Sequence, residues 1–182
     1  MRLGLSGGVL ATDLAIDDKH LPLTEQSVSA SVSVPLSDRL TLIGGAGALI
    51  GGHLGDVALD PGAIAFAGVS YRALAPAGAV PLVSVAGTLA VAHARIAGDG
   101  FTSTDLKLAV TAAWPIAGRV APYLSAAVFG GPIFYRGNIG GDRYHYQAIA
   151  GVSLALPGGF DLFVEGSPIG ARVLSGGVGL TL

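Results

Sequence analysis

Residues 27–34 read Ser-Val-Ser-Ala-Ser-Val-Ser-Val. In an extended chain successive side chains point to opposite faces. Ser27, Ser29, Ser31 and Ser33 therefore share one face, and Val28, Ala30, Val32 and Val34 the other. One face is all hydroxyl and the other all apolar, as a strand between water and hydrocarbon requires. The same period-two alternation recurs along the chain and predicts strands near 2–12, 27–34, 40–50, 63–74, 81–94, 104–114, 121–134, 144–156, 160–166 and 171–182.

Composition points the same way. The 182 residues, room for a single domain, are 51% hydrophobic and only 12% charged, against about 25% charged in soluble domains. Mean hydropathy is +0.65. Yet 29 glycines and 10 prolines suit strands and turns far better than spanning helices. The strongest helical candidate, residues 73–94, runs 22 residues without a charge, but Pro76 and Pro81 break it and Gly78 and Gly87 weaken it. Lipid requires every backbone polar group to be paired internally, so only helices and closed barrels span a membrane. The barrel is what remains: an all-β, transmembrane, antiparallel up-and-down barrel of about ten strands over residues 1–182.

The connections fall into two alternating sets. Residues 35–39, 75–79, 115–119 and 157–159 are tight and rich in Pro and Gly, as hairpin turns require. Residues 13–26, 51–62, 97–103 and 136–143 are longer and more polar, and 166–170 is a short member of that set. Short turns on one side and longer loops on the other are the arrangement of outer-membrane barrels. Both termini then fall on the short-turn side. Tyr71, Trp114, Tyr123 and Phe160 beside the turns, and Phe134, Tyr135, Tyr144 and Tyr146 beside a loop, are expected to form two interfacial girdles.

The last strand, Ser175-Gly-Gly-Val-Gly-Leu-Thr-Leu182, resembles the C-terminal recognition signal of bacterial outer-membrane proteins. Ser175, Gly177, Leu180 and Leu182 fill its places, with Leu182 where an aromatic is typical. Phe160-Asp-Leu-Phe-Val-Glu165 with its short following loop resembles the end of small porin-type and opacity-type barrels. The resemblance is architectural and implies a bacterial outer-membrane location. Residues 1–11 lack the unbroken apolar run of a secretory leader, because Gly4, Gly7 and Gly8 interrupt them, which is the reading expected of a mature chain.

Several chemistries find no support in the sequence. With no cysteine, disulfides and thiolate metal sites are excluded, and a net charge of −2 offers no basic surface to nucleic acid. His20, His53, His93 and His145 all fall toward the long-loop side without metal-ligand spacing. Asp56, Asp60, Asp99 and Asp142 invite comparison with the ten-stranded outer-membrane proteases. No motif of theirs is present, so these carboxylates read as solvated loop residues. No serine is paired with a base, and Gly44-Gly45-Ala-Gly47 lacks the residues of a phosphate cradle. No cofactor and no enzymatic activity are expected.

Assigning the apolar phase to lipid leaves small residues for the lumen: the serines of 27–33, then Ser84, Ala86, Thr88 and Ala90, then Ala109, Thr111 and Ala113. Arg72, Asp105, Lys107, Asp161 and Glu165 are the charged candidates. The expected function is a narrow passive, porin-like channel for small solutes or ions, with these charges and Ser29 and Ser31 setting polarity and selectivity. Asp13, Asp17, Asp18, Glu25, Asp56, Asp60, Asp99 and Asp142 would make its outer mouth acidic and weakly cation-preferring. The alternative is a closed barrel presenting loops 13–26, 51–62 and 136–143. A soluble lipocalin-type barrel would reverse the pattern, with apolar residues inside. It would also need more surface charge than two Lys and two Glu.

Overall fold

A computed structural model describes every residue except Asp18 and Ala79, so one acidic candidate and the end of the 75–79 turn lie outside the described residues. The strands are β1 (Arg2–Ile16), β2 (Lys19–Pro35), β3 (Leu40–Leu54), β4 (Val57–Ala58), β5 (Gly62–Leu74), β6 (Leu82–Ile96) and β7 (Asp99–Ala113). They continue with β8 (Val120–Gly130), β9 (Ile133–Tyr135), β10 (Asn138–Asp142), β11 (Tyr146–Ala155), β12 (Phe160–Gly170) and β13 (Arg172–Thr181). One 3-10 turn, Pro157–Gly159, is the sole helical element among the described residues. None of their helices is long and apolar enough to cross a membrane. The spanning elements are strands.

Ten strands close a ring of antiparallel pairs in the order β1, β2, β3, β5, β6, β7, β8, β11, β12, β13 and back to β1. The first and last strands pair from Arg2 with Thr181 to Ala11 with Arg172. Leu182 N donates to Met1 O at 2.9 Å, so the termini meet at the short-turn rim.

The three extra strands are continuations of wall strands. β4 keeps the register of β5 along β3, with His53 opposite Ala58 and Leu49 opposite Gly62. β9 prolongs β8 along β7, joined where Thr104 N donates to Pro132 O at 3.0 Å. β10 precedes β11 in the chain but pairs sideways with β1, placing Leu14 opposite Asp142 and Ile16 opposite Gly140. This sideways pairing is possible because the β12–β13 hairpin turns early, at Gly170 and Ala171. Above that turn the wall closes on itself with β1, β2, β3, β4, β6, β7, β9 and β10 alone. A ten-stranded ring thus narrows to eight.

The long connections expected at 13–26, 51–62, 97–103 and 136–143 are mostly strand. Ala97–Gly98 and Arg136–Gly137 are two-residue turns with positive φ at both positions (52° and 87°, 52° and 79°). That geometry matches the right-handed twist of flanking strands and lets a hairpin continue to its tip. The polar character of these segments marks exposure to water, which strands tolerate as well as loops do.

Along β2 and β6 the inward and outward phases run unbroken, but their chemistry changes. On β2 the inward residues run Ser33, Ser31, Ser29, Ser27, Glu25, Leu23 and Leu21, and the outward ones Val34, Val32, Ala30, Val28, Gln26 and Thr24. On β6 the outward series passes from Val85, Leu89 and Val91 to His93 and Arg95, while the inward series passes from Ser84 and Thr88 to Ala92, Ala94 and Ile96. On both strands the polarity inverts at the height where the lumen hydroxyls give way to core residues. That height is the upper edge of the apolar band that faces lipid.

Candidate functional site: the lumen

In the ten-stranded part the lumen is polar. Arg2 grips Asp161 with two bonds, Nε to Oδ1 at 3.0 Å and Nη2 to Oδ2 at 2.5 Å, the bidentate fit of guanidinium to carboxylate. Glu165 accepts from Tyr123 Oη at 2.7 Å and from Ser175 Oγ at 2.9 Å. Ser29 meets Ser6 at 3.0 Å, and Thr111 donates to Ser125 at 2.9 Å. Ser31 lies over Gly4, where a Cβ would stand 2.7 Å from its hydroxyl. Lys107 Nζ donates to Gln147 Oε1 at 2.8 Å, and Gln147 Nε2 donates to Ala171 O at 3.1 Å. Gln147 thereby ties the wall to the tip of the β12–β13 hairpin, at the point where ten strands become eight.

Three inward aromatic rings each cover a glycine directly opposite on the neighbouring strand: Phe66 over Gly45, Tyr123 over Gly151 and Phe163 over Gly177. A side chain at Gly177 would come within 2.7 Å of the Phe163 ring. Bare backbone lets each ring lie against the wall, a device that also pins strand register.

The eight-stranded part is filled. Leu14, Ile16, Leu23, Leu49, Leu54, Leu59, Ala92, Ala94, Ile96, Phe101, Ile133 and Tyr135 form one buried cluster, with Phe101 and Ile96 at 0% exposure. Eight strands leave an interior just wide enough for side chains to fill. Phe101 packs edge-on against Tyr135 with ring centroids 6.3 Å apart. Arg136 lies over the Tyr135 ring at 5.1 Å and bonds Asp99 at 2.6 Å, and this carboxylate holds the guanidinium pKa above its usual value.

Between the open base and this core the lumen holds three voids in series. The lowest, about 450 Å³, lies among Arg2, Arg119, Tyr123, Asp161, Phe163 and Glu165. The middle one, about 200 Å³, shares Phe163 and Glu165 with it. The uppermost, about 280 Å³, shares Leu10 and Val173 with the middle one and ends beneath Leu14, Leu23, Ala92 and Ile133 of the core.

The structure places the predicted lumen residues as follows. Asp105 and Lys107 line the uppermost void, and Asp161, Glu165, Ser29 and Ser31 face the polar lumen below. Arg72 sits apart, at the short-turn rim, donating to the carbonyl of Asp38. Among the described residues the predicted acidic mouth does not form a ring. Asp99 pairs with Arg136, Asp17 accepts from Asn138 at 2.8 Å, and Glu25 and Asp142 turn inward to the uppermost void. Asp142 accepts from Thr12 Oγ1 and Tyr144 N, and burial, partly offset by these bonds, raises its carboxyl above the usual range. Of the aromatics expected in the girdles, Tyr71, Trp114, Phe160, Phe134 and Tyr146 are exposed and Tyr144 is half-buried. Tyr123 and Tyr135 instead turn into the lumen and the core. Among the described residues no group of His, Asp and Glu could hold a metal ion.

Arg2, Glu25, Tyr123 and Gln147 are the lumen residues that sequence reading missed. A signal was present for two of them. Arg2 is in phase with Ser6, and Glu25 continues the odd-numbered phase of Ser27–Ser33 past the point where a loop was expected.

No protein-family model matches the chain, and no curated protein matches it. Solved structures do. An outer membrane channel from Pseudomonas putida F1 aligns over 100% of this chain and 95% of its own, with a TM-score of 0.59 and 8% identity. The translocator domain of the autotransporter NalP from Neisseria meningitidis aligns over 100% of this chain and 88% of its own, with a TM-score of 0.57 and 11% identity. At such identities the likeness is one of fold, and the fold is the closed antiparallel barrel of bacterial outer-membrane proteins.

Proposed function

We propose that the protein is a non-conducting barrel of a bacterial outer membrane, with its short turns on the periplasmic side and a rigid eight-stranded stub carried beyond the lipid. The observation that supports this reading is the apolar core at the long-loop end. Water does not stably occupy a space lined only by hydrocarbon. Leu14, Ile96 and Phe101 belong to wall strands β1, β6 and β7, so clearing a path means unpacking the barrel itself. The stub would offer its polar outer face, with His20, His53, His93 and Arg95, to whatever the cell surface meets. No residue is assigned a catalytic step.

A second reading, the narrow passive channel, is favoured by the three voids in series. In it the core would be a gate, and Asp105, Lys107, Asp161 and Glu165 would set selectivity, with Arg72 at the entrance. Planar-bilayer recording of the refolded chain separates the two. The closed reading expects no sustained conductance from the native sequence, and ion steps once Leu14 and Phe101 are both replaced by serine. A steady conductance from the native protein would overturn it in favour of the channel.

A further inference from the structure

The uppermost void is more than a gap in packing. Its roof is the hydrocarbon of Leu14, Leu23 and Ile133, while its walls carry three carboxylates, Glu25, Asp105 and Asp142, against a single ammonium, Lys107. Three of these four groups are already engaged, Asp105 by the backbone N–H of Gly130. Lys107 bonds Gln147, and Asp142 bonds Thr12 and Tyr144. Glu25 differs: its Oε1 is buried without a hydrogen-bond partner, and a buried polar atom left unmade is costly. The missing partner is a donor, and the excess of negative charge around the void favours one that is positive. A bare metal ion does not suit the site, since the carboxylates are not grouped as metal ligands and hard cations need six or more oxygens or waters. The hydrocarbon roof suits an apolar body instead. A cavity of about 150 Å³ holds benzene, and this one is about 280 Å³.

The geometry points to a binding site for a small amphipathic organic cation, a primary amine on a short hydrocarbon or aromatic body, with its ammonium on Glu25 and its apolar end under Leu14 and Leu23. Leu10 and Val173 border both this void and the one below, which places the approach on the short-turn side. The site does not depend on whether the barrel conducts, because it lies below the core.

The test uses the full chain in lipid nanodiscs, titrated with benzylamine and separately with benzyl alcohol, and reads the backbone amide resonances of Glu25, Ala90 and Asp105. Saturable shifts with the amine are expected, together with roughly tenfold or weaker binding of the alcohol, the usual margin for a hydrogen bond to a charged group. Glu25→Gln should erase that preference while leaving alcohol binding in place. Equal affinity for the two probes, a preference that survives Glu25→Gln, or no saturable shift with either probe would each overturn the assignment. Should the glutamine variant not fold, the amine-to-alcohol ratio of the native protein decides alone.

Discussion

The lower and upper parts of this barrel are built from the same strands with opposite chemistry. Below, Val28 and Val32 face out and Ser29 and Ser31 face in; a few residues further along β2, Thr24 faces out and Leu23 faces in. The lower part follows the rule of a protein in lipid, and the upper part that of a small soluble barrel. What sets them apart is the solvent outside. Where hydrocarbon covers the wall, burying apolar side chains inside gains nothing, so the interior can be polar and hydrogen-bonded. Where water covers it, the hydrophobic effect returns, and the interior fills with Leu, Ile and Phe. The drop from ten strands to eight makes that filling possible, because the narrower ring leaves no more room than side chains occupy.

The sharpest way to break this comparison is to hollow the upper core. Phe101→Ala should cost about 3–5 kcal/mol through lost burial and the cavity left behind. Thr111→Ala, which removes a lumen hydroxyl bonded to Ser125, should cost only about 0.5–1.5 kcal/mol. Urea unfolding in detergent micelles, read by heat-modifiable gel mobility, gives both values. Similar costs at the two sites would mean that the upper interior is no tighter than the lower.

A smaller effect tests the outer faces. Leu89 and His93 lie one above the other on the outward phase of β6, on either side of the inversion. Leu89→Arg should cost about 2–4 kcal/mol, the penalty for a cation near the bilayer midplane. His93→Arg should stay within about 0.5 kcal/mol, as exposed polar exchanges do, plus whatever loss of its contact with Thr102 at 2.8 Å costs. Folding into vesicles with each variant measures the pair. Equal penalties would move the membrane boundary above His93.

The smallest expected effect concerns the rings that lie over glycine. Gly151→Ala pushes a methyl into the Tyr123 ring, which must swing away from Glu165. Overpacking of this kind costs about 1–3 kcal/mol, and loss of the Tyr123–Glu165 contact should appear as a changed tyrosine ultraviolet spectrum on alkaline titration. An unaltered spectrum would show that the ring keeps its bond to Glu165 and that the wall yields instead.

Much of this was readable before any fold was known. Alternation in 27–34 determined which residues face lipid and which face the lumen, because strand geometry permits only two phases. The placing of turns determined the count of ten and brought both termini to one rim. Asp105, Lys107, Asp161 and Glu165 were assigned inward by phase alone.

Polarity misled where it was read as loop. Residues 13–16, 19–26 and 99–103 are polar because their outer face meets water, yet they remain strand, and their alternate residues Leu14, Leu23 and Phe101 are core. The sequence contained that alternation too, with the inner and outer roles exchanged. Only the tertiary structure decided where along β2 and β6 the exchange occurs. It also decided that β10 abandons its place beside the early-turning β12–β13 hairpin to pair with β1. Pairing between residues more than a hundred positions apart, such as Leu14 with Asp142, depends on where the β12–β13 hairpin stops. No local pattern encodes that, because it follows from closing the ring.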